Sequence, residues 1–254
     1  MTLDEFFAEN QNIALAYSGG VDSAYLLYEA KKHCKRVGVY HARTPFVPAF
    51  EREDAAMLAN RLGVELAVVE LDPLAVPDIA ANRQDRCYHC KTAVFAAIIN
   101  RAKEEGFSIV IDGTNASDKA DDRPGMRALA ELGVRSPLRE CGITKAEVRR
   151  ASKEAGLFTW DKPAYACLAT RVPTGTPIKR DDLERIERGE NALHTMGFGG
   201  FRLRLTQSGG AKLQFLTEQI ELAFAIRGSI IAALSADFEE ITLDLRPRVA
   251  ATEE

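Results

Sequence analysis

Short apolar runs alternate with longer amphipathic stretches over the first 157 residues of the chain. The runs have the length and continuous apolar character of buried strands, and the stretches between them repeat apolar positions every three or four residues, as helices do. Strands that alternate with helices in this way predict an α/β fold with a doubly wound parallel sheet. The predicted strands are Asn12–Tyr17, Arg36–Tyr40, Val64–Leu71 and Ser108–Asp112, and the predicted helices are Asp22–Lys32, Ala49–Leu62, Thr92–Glu105, Pro124–Leu132 and Thr144–Gly156.

The pattern changes after Gly156. Residues 158–180 contain three prolines and a glycine, which favour a loop. The predicted elements beyond it are a charged helix at Asp181–Met196, strands at Phe201–Leu205, Ala211–Phe215 and Glu240–Leu245, and helical turns over Thr217–Leu234 with a break near Gly228. We therefore expect an α/β domain at 1–157, a linker carrying Cys167 at 158–180, and a smaller C-terminal α+β domain at 181–254.

Composition and charge narrow the class of ligand. The chain has 254 residues, of which 46% are hydrophobic and 28% charged, and its net charge is −4. A protein whose main ligand is a nucleic-acid backbone is more often basic, so the balance favours a small-molecule substrate. No apolar run has the length of a membrane span, and residues 1–5 lack the features of a signal peptide. We expect a cytoplasmic protein with no membrane partner.

The segment Ser18-Gly19-Gly20-Val21-Asp22-Ser23 lies where the first predicted strand turns into the first predicted helix. Small residues allow backbone N–H groups to approach an anion closely, and the following helix directs its positive end to the same place. Ser18 and Ser23 add hydroxyl donors, and Asp22 can help to hold Mg²⁺ near phosphates. The segment predicts a phosphate-binding loop that differs from the Walker loop. A glycine turn capped by Asp22 is the alternative.

The five cysteines include one close pair, Cys87 and Cys90. This C-x-x-C precedes a predicted helix, and its spacing suits one metal ion or two corners of an iron–sulfur cluster. With Cys167 as a third ligand, a 4Fe–4S cluster would keep one iron open for a sulfide. Alternatively, the pair is structural or redox-active and Cys167 is a small buried apolar residue. Cys34 and Cys141 have no partner in sequence, and we expect both to be structural.

Several segments taken together resemble the LarE family of nickel-pincer nucleotide sulfur transferases, which belongs to the PP-loop (ATP-pyrophosphatase) superfamily with its adenine nucleotide alpha hydrolase-like fold. The resemblance spans nearly the whole chain. The matching segments are Ser18–Ser23, Arg86–Lys91, Asp112–Asn115, Asp122–Gly125, Ser136–Leu138, Thr144–Glu147, Lys162–Arg171 and Arg202–Arg204.

The resemblance implies a definite reaction. ATP adenylates a carboxylate of pyridinium-3,5-biscarboxylic acid mononucleotide, and sulfur then displaces AMP to form a thiocarboxylate. Two rounds give the nickel-binding cofactor of lactate racemase and related enzymes. Family members with one cysteine sacrifice its sulfur, whereas members with three cysteines hold a 4Fe–4S cluster. Because Cys87, Cys90 and Cys167 are all present, the resemblance implies the cluster type, with Cys167 as a catalytic residue and a homo-hexameric assembly.

The resemblance also implies roles for individual residues. Ser18, Gly19, Gly20, Asp22, Ser23, Gly113, Asp122 and Arg123 would bind ATP, and Asp22 would also act in catalysis. Arg202 and Arg204, which share one face of a predicted strand, would bind the substrate's phosphate. Arg171 would aid substrate or AMP binding.

Some positions depart from the family pattern. Thr170 stands where relatives usually have serine, which keeps the hydroxyl. Gln214 stands where many relatives have glutamate, so the acidic contact of that position is missing. Glu190 remains as a candidate for the acidic group. The tail at Arg246–Arg248 also lacks the Gly-Tyr-Arg segment that is common in relatives.

Two other enzyme classes and one non-enzymatic class share the phosphate loop. A tRNA thiolase would adenylate a base oxygen and bind RNA. An ammonia-using synthetase would not need the three cysteines. A nucleotide-binding regulator would bind ATP without releasing pyrophosphate.

Overall fold

The computed structural model describes residues 1–118, 124–163 and 165–248, and these residues divide into two units. Residues 1–73 and 85–163 belong to the first unit, and residues 74–84 and 165–248 belong to the second. The Cys167 segment therefore belongs to the unit that also contains the C-terminal strands.

The secondary structure follows the predicted alternation. The strands are β1 (Asn12–Ala16), β2 (Arg36–Arg43), β3 (Leu66–Glu70), β4 (Val110–Ile111), β5 (Arg202–Leu205), β6 (Ala211–Gln214) and β7 (Ile241–Leu243). The helices are α1 (Leu3–Glu9), α2 (Val21–His33), α3 (Ala49–Arg61), α4 (Pro77–Ala80), α5 (Arg86–Glu104), α6 (Pro124–Glu131), α7 (Pro137–Glu140), α8 (Lys145–Glu154), α9 (Arg180–Thr195), α10 (Ile220–Ala225) and α11 (Arg227–Leu234). None of the helices in the described ranges has the length and apolar character needed to cross a membrane.

The sheet of the first unit is parallel, in the order β3-β2-β1-β4. Ile13 and Leu15 of β1 pack with α1, α2 and α8 in one core cluster. Ala14, which points to the opposite face, packs with Phe95 and Ile98 of α5 in a second cluster. Burial of both faces explains why β1 is a continuous apolar run. The predicted doubly wound α/β fold is confirmed.

The second unit contains a sheet in the order β5-β6-β7, with β5 and β6 antiparallel and β6 and β7 parallel. Helix α9 packs on the apolar face of this sheet. A Cβ at Gly189 would lie 2.5 Å from Leu203 Cδ1 and 3.1 Å from Leu234 Cδ2. The glycine therefore lets the helix approach the sheet closely, and the predicted α+β arrangement is present.

The largest difference from the prediction concerns α5. We expected a helix from Thr92 with the cysteine pair before it, which is wrong, because α5 begins at Arg86 and contains Cys87 and Cys90. Its first buried apolar residue is Phe95. The first two turns therefore lack the apolar repeat from which a helix is predicted. The consequence is that both cysteines project from helical positions.

Candidate functional site

The predicted phosphate loop follows β1, whose neighbours in the sheet are β2 on one side and β4 on the other. Strand order reverses at this point, and ligands of open α/β sheets bind beside such a reversal, outside the carboxyl ends of the strands. The loops after β1 and β4 meet here. A Cβ at Gly113 would lie only 2.8 Å from the backbone nitrogen of Ser23. The sequence singled out both loops, and the topology brings them together.

The loop after β1 is shaped by glycines and closed by hydroxyl groups. Gly19 has a φ of +81°, and a Cβ there would lie 2.8 Å from Ala55 Cβ on α3. The backbone N–H of Gly20 donates to Ser18 Oγ at 3.3 Å, and the hydroxyls of Ser18 and Ser23 lie 3.0 Å apart. Both the conformation and the space at position 19 exclude a side chain. The loop is thus a narrow cradle at the start of α2, where an anion is favoured.

The loop after β4 is held by a buried carboxylate. Thr114 Oγ1 donates to Asp112 Oδ2 at 2.5 Å, and Ser136 Oγ donates to Asp112 Oδ1 at 2.6 Å. Asp112 is 5% exposed, so these hydroxyls compensate its burial. They fix the loop that carries Gly113 against Ser23.

Asp22 has a partner on each of its two oxygens. Asn115 Nδ2 donates to Oδ1 at 3.1 Å, and Lys145 Nζ forms an ion pair with Oδ2. Lys145 is the first residue of α8, which begins with a capping box formed by Thr144 and Glu147. Asn115 and Lys145 lie in segments that carry the family resemblance, but we assigned them no role. Only the folded chain reveals that they orient the carboxylate at the loop.

Two of the residues expected to bind ATP, Asp122 and Arg123, lie outside the described residues.

The cysteine pair lies in the first two turns of α5. Residues at i and i+3 share a helix face, so Cys87 and Cys90 project on the same side. Cys87 is exposed, and Arg86 Nη2 donates to its sulfur at 3.5 Å. The spacing and the accessible sulfur suit two ligands of one metal centre.

The other two thiols of the first unit have different surroundings. Cys34 and Cys141 pack against the apolar core cluster that contains β1 and α2. Burial raises the pKa of the Cys34 thiol to about 11 and also raises the pKa of Cys141. Both therefore remain protonated at neutral pH, which supports the structural role that we expected for them.

Cys167 lies at the start of a single 3-10 turn, Leu168–Arg171, in the second unit. Its carbonyl oxygen accepts from the backbone N–H of Thr170 at 3.0 Å and from the Thr170 hydroxyl at 2.8 Å. Arg171 Nη1 donates to the carbonyl of Ala166 at 2.8 Å and to Thr170 Oγ1 at 2.9 Å. Side chains therefore fix the backbone on both sides of the cysteine. The hydroxyl that Thr170 shares with serine is used in this turn.

Arg171 is held by a buried carboxylate. Its Nε donates to Glu190 Oε1 at 2.8 Å and its Nη2 donates to Oε2 at 3.1 Å, and the two side chains are 0% and 3% exposed. The hydroxyl of Tyr165 and the backbone N–H of Leu203 also donate to Glu190. Burial opposes the charge of Arg171, but Glu190 outweighs it, and the pKa of Arg171 is raised. Its predicted role in substrate or AMP binding stays a prediction.

Arg202 and Arg204 lie on the polar face of β5, as their spacing predicted. Arg204 Nε donates to Gln214 Oε1 at 2.7 Å and its Nη1 donates to the carbonyl of Thr170 at 2.7 Å. Burial and then the charges of Arg171 and Arg248 lower the pKa of Arg202 to about 10. Burial and Arg171 also lower the pKa of Arg204. Burial is the larger cause of both shifts and the neighbouring arginines add to it, so a bound anion would stabilise the charged form of either guanidinium.

Gln214 has a specific role on the same face. While its oxygen accepts from Arg204, its Nε2 donates to Asp244 Oδ2 at 2.8 Å. Lys212 Nζ also pairs with Asp244 at 2.9 Å. A glutamate at position 214 would place a second carboxylate against Asp244 and would neutralise Arg204. The amide instead leaves the charge of Arg204 uncompensated.

Comparison with known proteins shows similarity along most of the chain. It is 38% identical to an uncharacterised protein of Synechocystis sp. over 86% of this chain and 82% of that protein. It is 30% identical to the pyridinium-3,5-bisthiocarboxylic acid mononucleotide synthase of Lactiplantibacillus plantarum over 96% of this chain and 89% of that enzyme. It is also 30% identical to an uncharacterised protein of Methanocaldococcus jannaschii over 77% and 75% of the two chains. No family model matches the chain.

The close approach of the two loops gives a first prediction. In Gly113→Ala the added methyl would meet the Ser23 backbone at 2.8 Å, so α2 or the β4 loop must shift. We expect the affinity for ATP, measured by calorimetry, to fall at least about tenfold, and the free energy of unfolding to fall by about 1–3 kcal/mol. Gly199→Ala is the matched control, because a Cβ there meets nothing within 4 Å. Unchanged ATP affinity in Gly113→Ala would show that the nucleotide binds elsewhere.

The buried ion pair gives a second prediction. Glu190→Gln removes the charge that compensates Arg171 and leaves a guanidinium uncompensated in the interior. We expect the free energy of unfolding, measured with urea, to fall by about 3–5 kcal/mol. Glu184→Gln, an exposed change on the same helix, should alter it by less than about 0.5 kcal/mol. Equal effects of the two substitutions would contradict a structural role for the pair.

Proposed function

We infer the function from the premise that the chain belongs to the family of the pyridinium-3,5-bisthiocarboxylic acid mononucleotide synthases, as its similarity along nearly the full length of one such enzyme shows. The chain is an ATP-dependent sulfur transferase of nickel-pincer cofactor biosynthesis. We propose that it adenylates the carboxylates of pyridinium-3,5-biscarboxylic acid mononucleotide and replaces one oxygen of each with sulfur. The observation that carries this proposal is the glycine-lined cradle at the strand-order reversal, because it suits the phosphates of ATP.

The residues of the first unit fit ATP and Mg²⁺. Side chains at positions 19 and 113 would fill the space in which phosphate oxygens meet backbone N–H groups. Asp22 presents a carboxylate at this loop, and Lys145 lies against it. In the proposed adenylation, a substrate carboxylate oxygen attacks the α-phosphorus of ATP, and the bond to the β-phosphate breaks. Lys145 and the N–H groups of the loop would stabilise the negative charge that develops on the departing pyrophosphate.

Sulfur transfer follows the activation. A sulfur nucleophile attacks the acyl carbon, the carbon–sulfur bond forms, and AMP leaves with the former carboxylate oxygen. Adenylation is needed because a bare carboxylate oxygen is a poor leaving group, whereas AMP is a good one. Arg202 and Arg204 would hold the substrate through its phosphate, since guanidinium groups bind phosphate oxygens in pairs.

The residues that would hold a 4Fe–4S cluster are Cys87, Cys90 and Cys167. The donor set fits such a group, because all three ligands are thiols and the first two share a helix face. When bound, the cluster would supply a sulfide at the iron that has no protein ligand. The backbone bonds from Thr170 and Arg171 would keep Cys167 in a fixed position for this role.

The cysteine assignment gives a third prediction. After anaerobic purification we expect about four irons per chain, and Cys87→Ser, Cys90→Ser and Cys167→Ser should each lose most of the iron and of the thiocarboxylate formation. Cys141→Ala is the control, because its thiol packs against the core of the first unit, and it should retain both. Iron is measured chemically and the product by mass spectrometry with ATP and the biscarboxylate mononucleotide.

The other outcomes of this experiment identify the alternatives. An iron-free protein that acquires dehydroalanine at Cys167 after one turnover would show that the cysteine gives up its own sulfur. Activity that survives all three substitutions would favour an ammonia-using synthetase. Binding of tRNA in a salt-dependent gel shift, without turnover of the mononucleotide, would favour a tRNA thiolase.

A further inference from the structure

A cluster of potential metal ligands lies in the first unit, apart from the cysteines, where α1 packs against α2. Asp4, Glu29 and His33 each offer one ligand atom, and these three atoms all lie within 4.8 Å of one another. Glu29 and His33 are four positions apart on α2, so they share one face of that helix. Asp4 reaches the same place from the first turn of α1. The proposed function gives no part to any of the three residues.

The imidazole of His33 is the centre of this cluster, and its neighbours orient it. The ring stacks on the fully buried Phe7, with an interplanar angle of 8° and a centroid distance of 6.1 Å. In this orientation Nε2 lies 3.3 Å from Asp4 Oδ1 and 3.5 Å from Glu29 Oε2. Glu29 is also held, because its other oxygen, Oε1, accepts from Lys32 Nζ at 2.9 Å. An aromatic ring and a lysine therefore direct two of the three ligands to a common point.

The distances within the cluster suit a shared cation better than they suit hydrogen bonds. One ring nitrogen faces two carboxylates, and both distances exceed the ~2.9 Å typical of an N–H···O bond. Zinc bonds to imidazole nitrogen and carboxylate oxygen are about 2.0–2.2 Å long, so ligand atoms at neighbouring corners of its tetrahedron lie about 3.3–3.6 Å apart. The distances of 3.3 Å and 3.5 Å from Nε2 to the two carboxylates fall in this range. The three side chains are therefore already spaced as zinc ligands.

We propose that Asp4, Glu29 and His33 bind a zinc ion that joins α1 to the last turns of α2. Three protein ligands leave the fourth corner of the tetrahedron to water. One nitrogen and two oxygens form a donor set that zinc accepts, whereas magnesium and calcium prefer oxygen ligands alone. His33 ends the helix that begins at Val21 beside the phosphate loop, so it lies about 18 Å from that loop at 1.5 Å per residue. The ion is therefore structural and takes no part in adenylation.

The test is a titration of the full chain with zinc alone, followed by equilibrium dialysis. Because thiols also bind zinc, X-ray absorption then separates bonds of about 2.0–2.2 Å to nitrogen and oxygen from bonds of about 2.3 Å to sulfur. We expect the unaltered protein to bind zinc with only nitrogen and oxygen ligands at this site. Asp4→Asn and His33→Gln should each weaken that binding at least about tenfold. Glu9→Gln, which removes an exposed carboxylate from the same helix as Asp4, should leave it unchanged.

A second measurement tests the structural effect of the ion. An ion that binds only the folded chain raises the melting temperature, so zinc should stabilise the unaltered protein and Glu9→Gln but not Asp4→Asn. Asp4 is 77% exposed, so Asp4→Asn keeps the fold and decides the matter even if His33→Gln does not fold. Zinc bound only through sulfur, or bound equally well by Asp4→Asn, would refute the site. Neither result bears on the proposed function, because no substrate is used.

Discussion

The second unit depends on one ion pair, that between Arg171 and Glu190. Both side chains are almost completely removed from water, so each charge is stable only because of the other. The pair also joins pieces of chain that are distant in sequence. Glu190 accepts from Tyr165 and from the backbone of Leu203, and Arg171 holds the carbonyl of Ala166. The turn at Cys167 and the strand that carries Arg202 and Arg204 are thus positioned by the same carboxylate. Loss of Glu190 would disturb the site and the fold together.

In the first unit, backbone geometry positions the loops of the candidate site. Gly19 and Gly113 allow two loops and a helix start to approach more closely than any side chain permits. Asp112 then fixes one loop through two hydroxyls, and Lys145 with Asn115 orients Asp22 at the other. A loop that binds phosphate must present its N–H groups before the ligand arrives. The hydrogen bonds that surround the loop provide this preorganisation, while the glycines provide the space.

The sequence predicts the sheet, the glycine-rich turn after β1 and the shared strand face of Arg202 and Arg204, because each depends on a local pattern: an apolar run, a run of small residues, or alternation along a strand. It does not predict the start of α5, where no buried apolar residue precedes Phe95. It also does not predict Lys145 as the partner of Asp22, because 123 positions separate them in the chain. The same limit applies to Arg248, which meets Arg202 only through a backbone carbonyl. Contacts between distant segments follow from the topology and the packing, which no short motif encodes.

The substitution at position 214 illustrates how charge balance is kept on the polar face of the second sheet. A glutamate would pair with Arg204, and the face would then hold one positive charge fewer. With glutamine, the amide accepts from Arg204 and donates to Asp244, and Asp244 keeps Lys212 as its own partner. Hydrogen bonding from Lys212 and Gln214 lowers the pKa of Asp244 to about 2, so this carboxylate stays ionised. The Asp244 carboxylate nevertheless contacts Lys212 Nζ and Gln214 Nε2, and it forms no ion pair with Arg204. Residue 214 therefore does not neutralise the charge of Arg204, and Arg202 and Arg204 stay as two positive charges on the same face of β5.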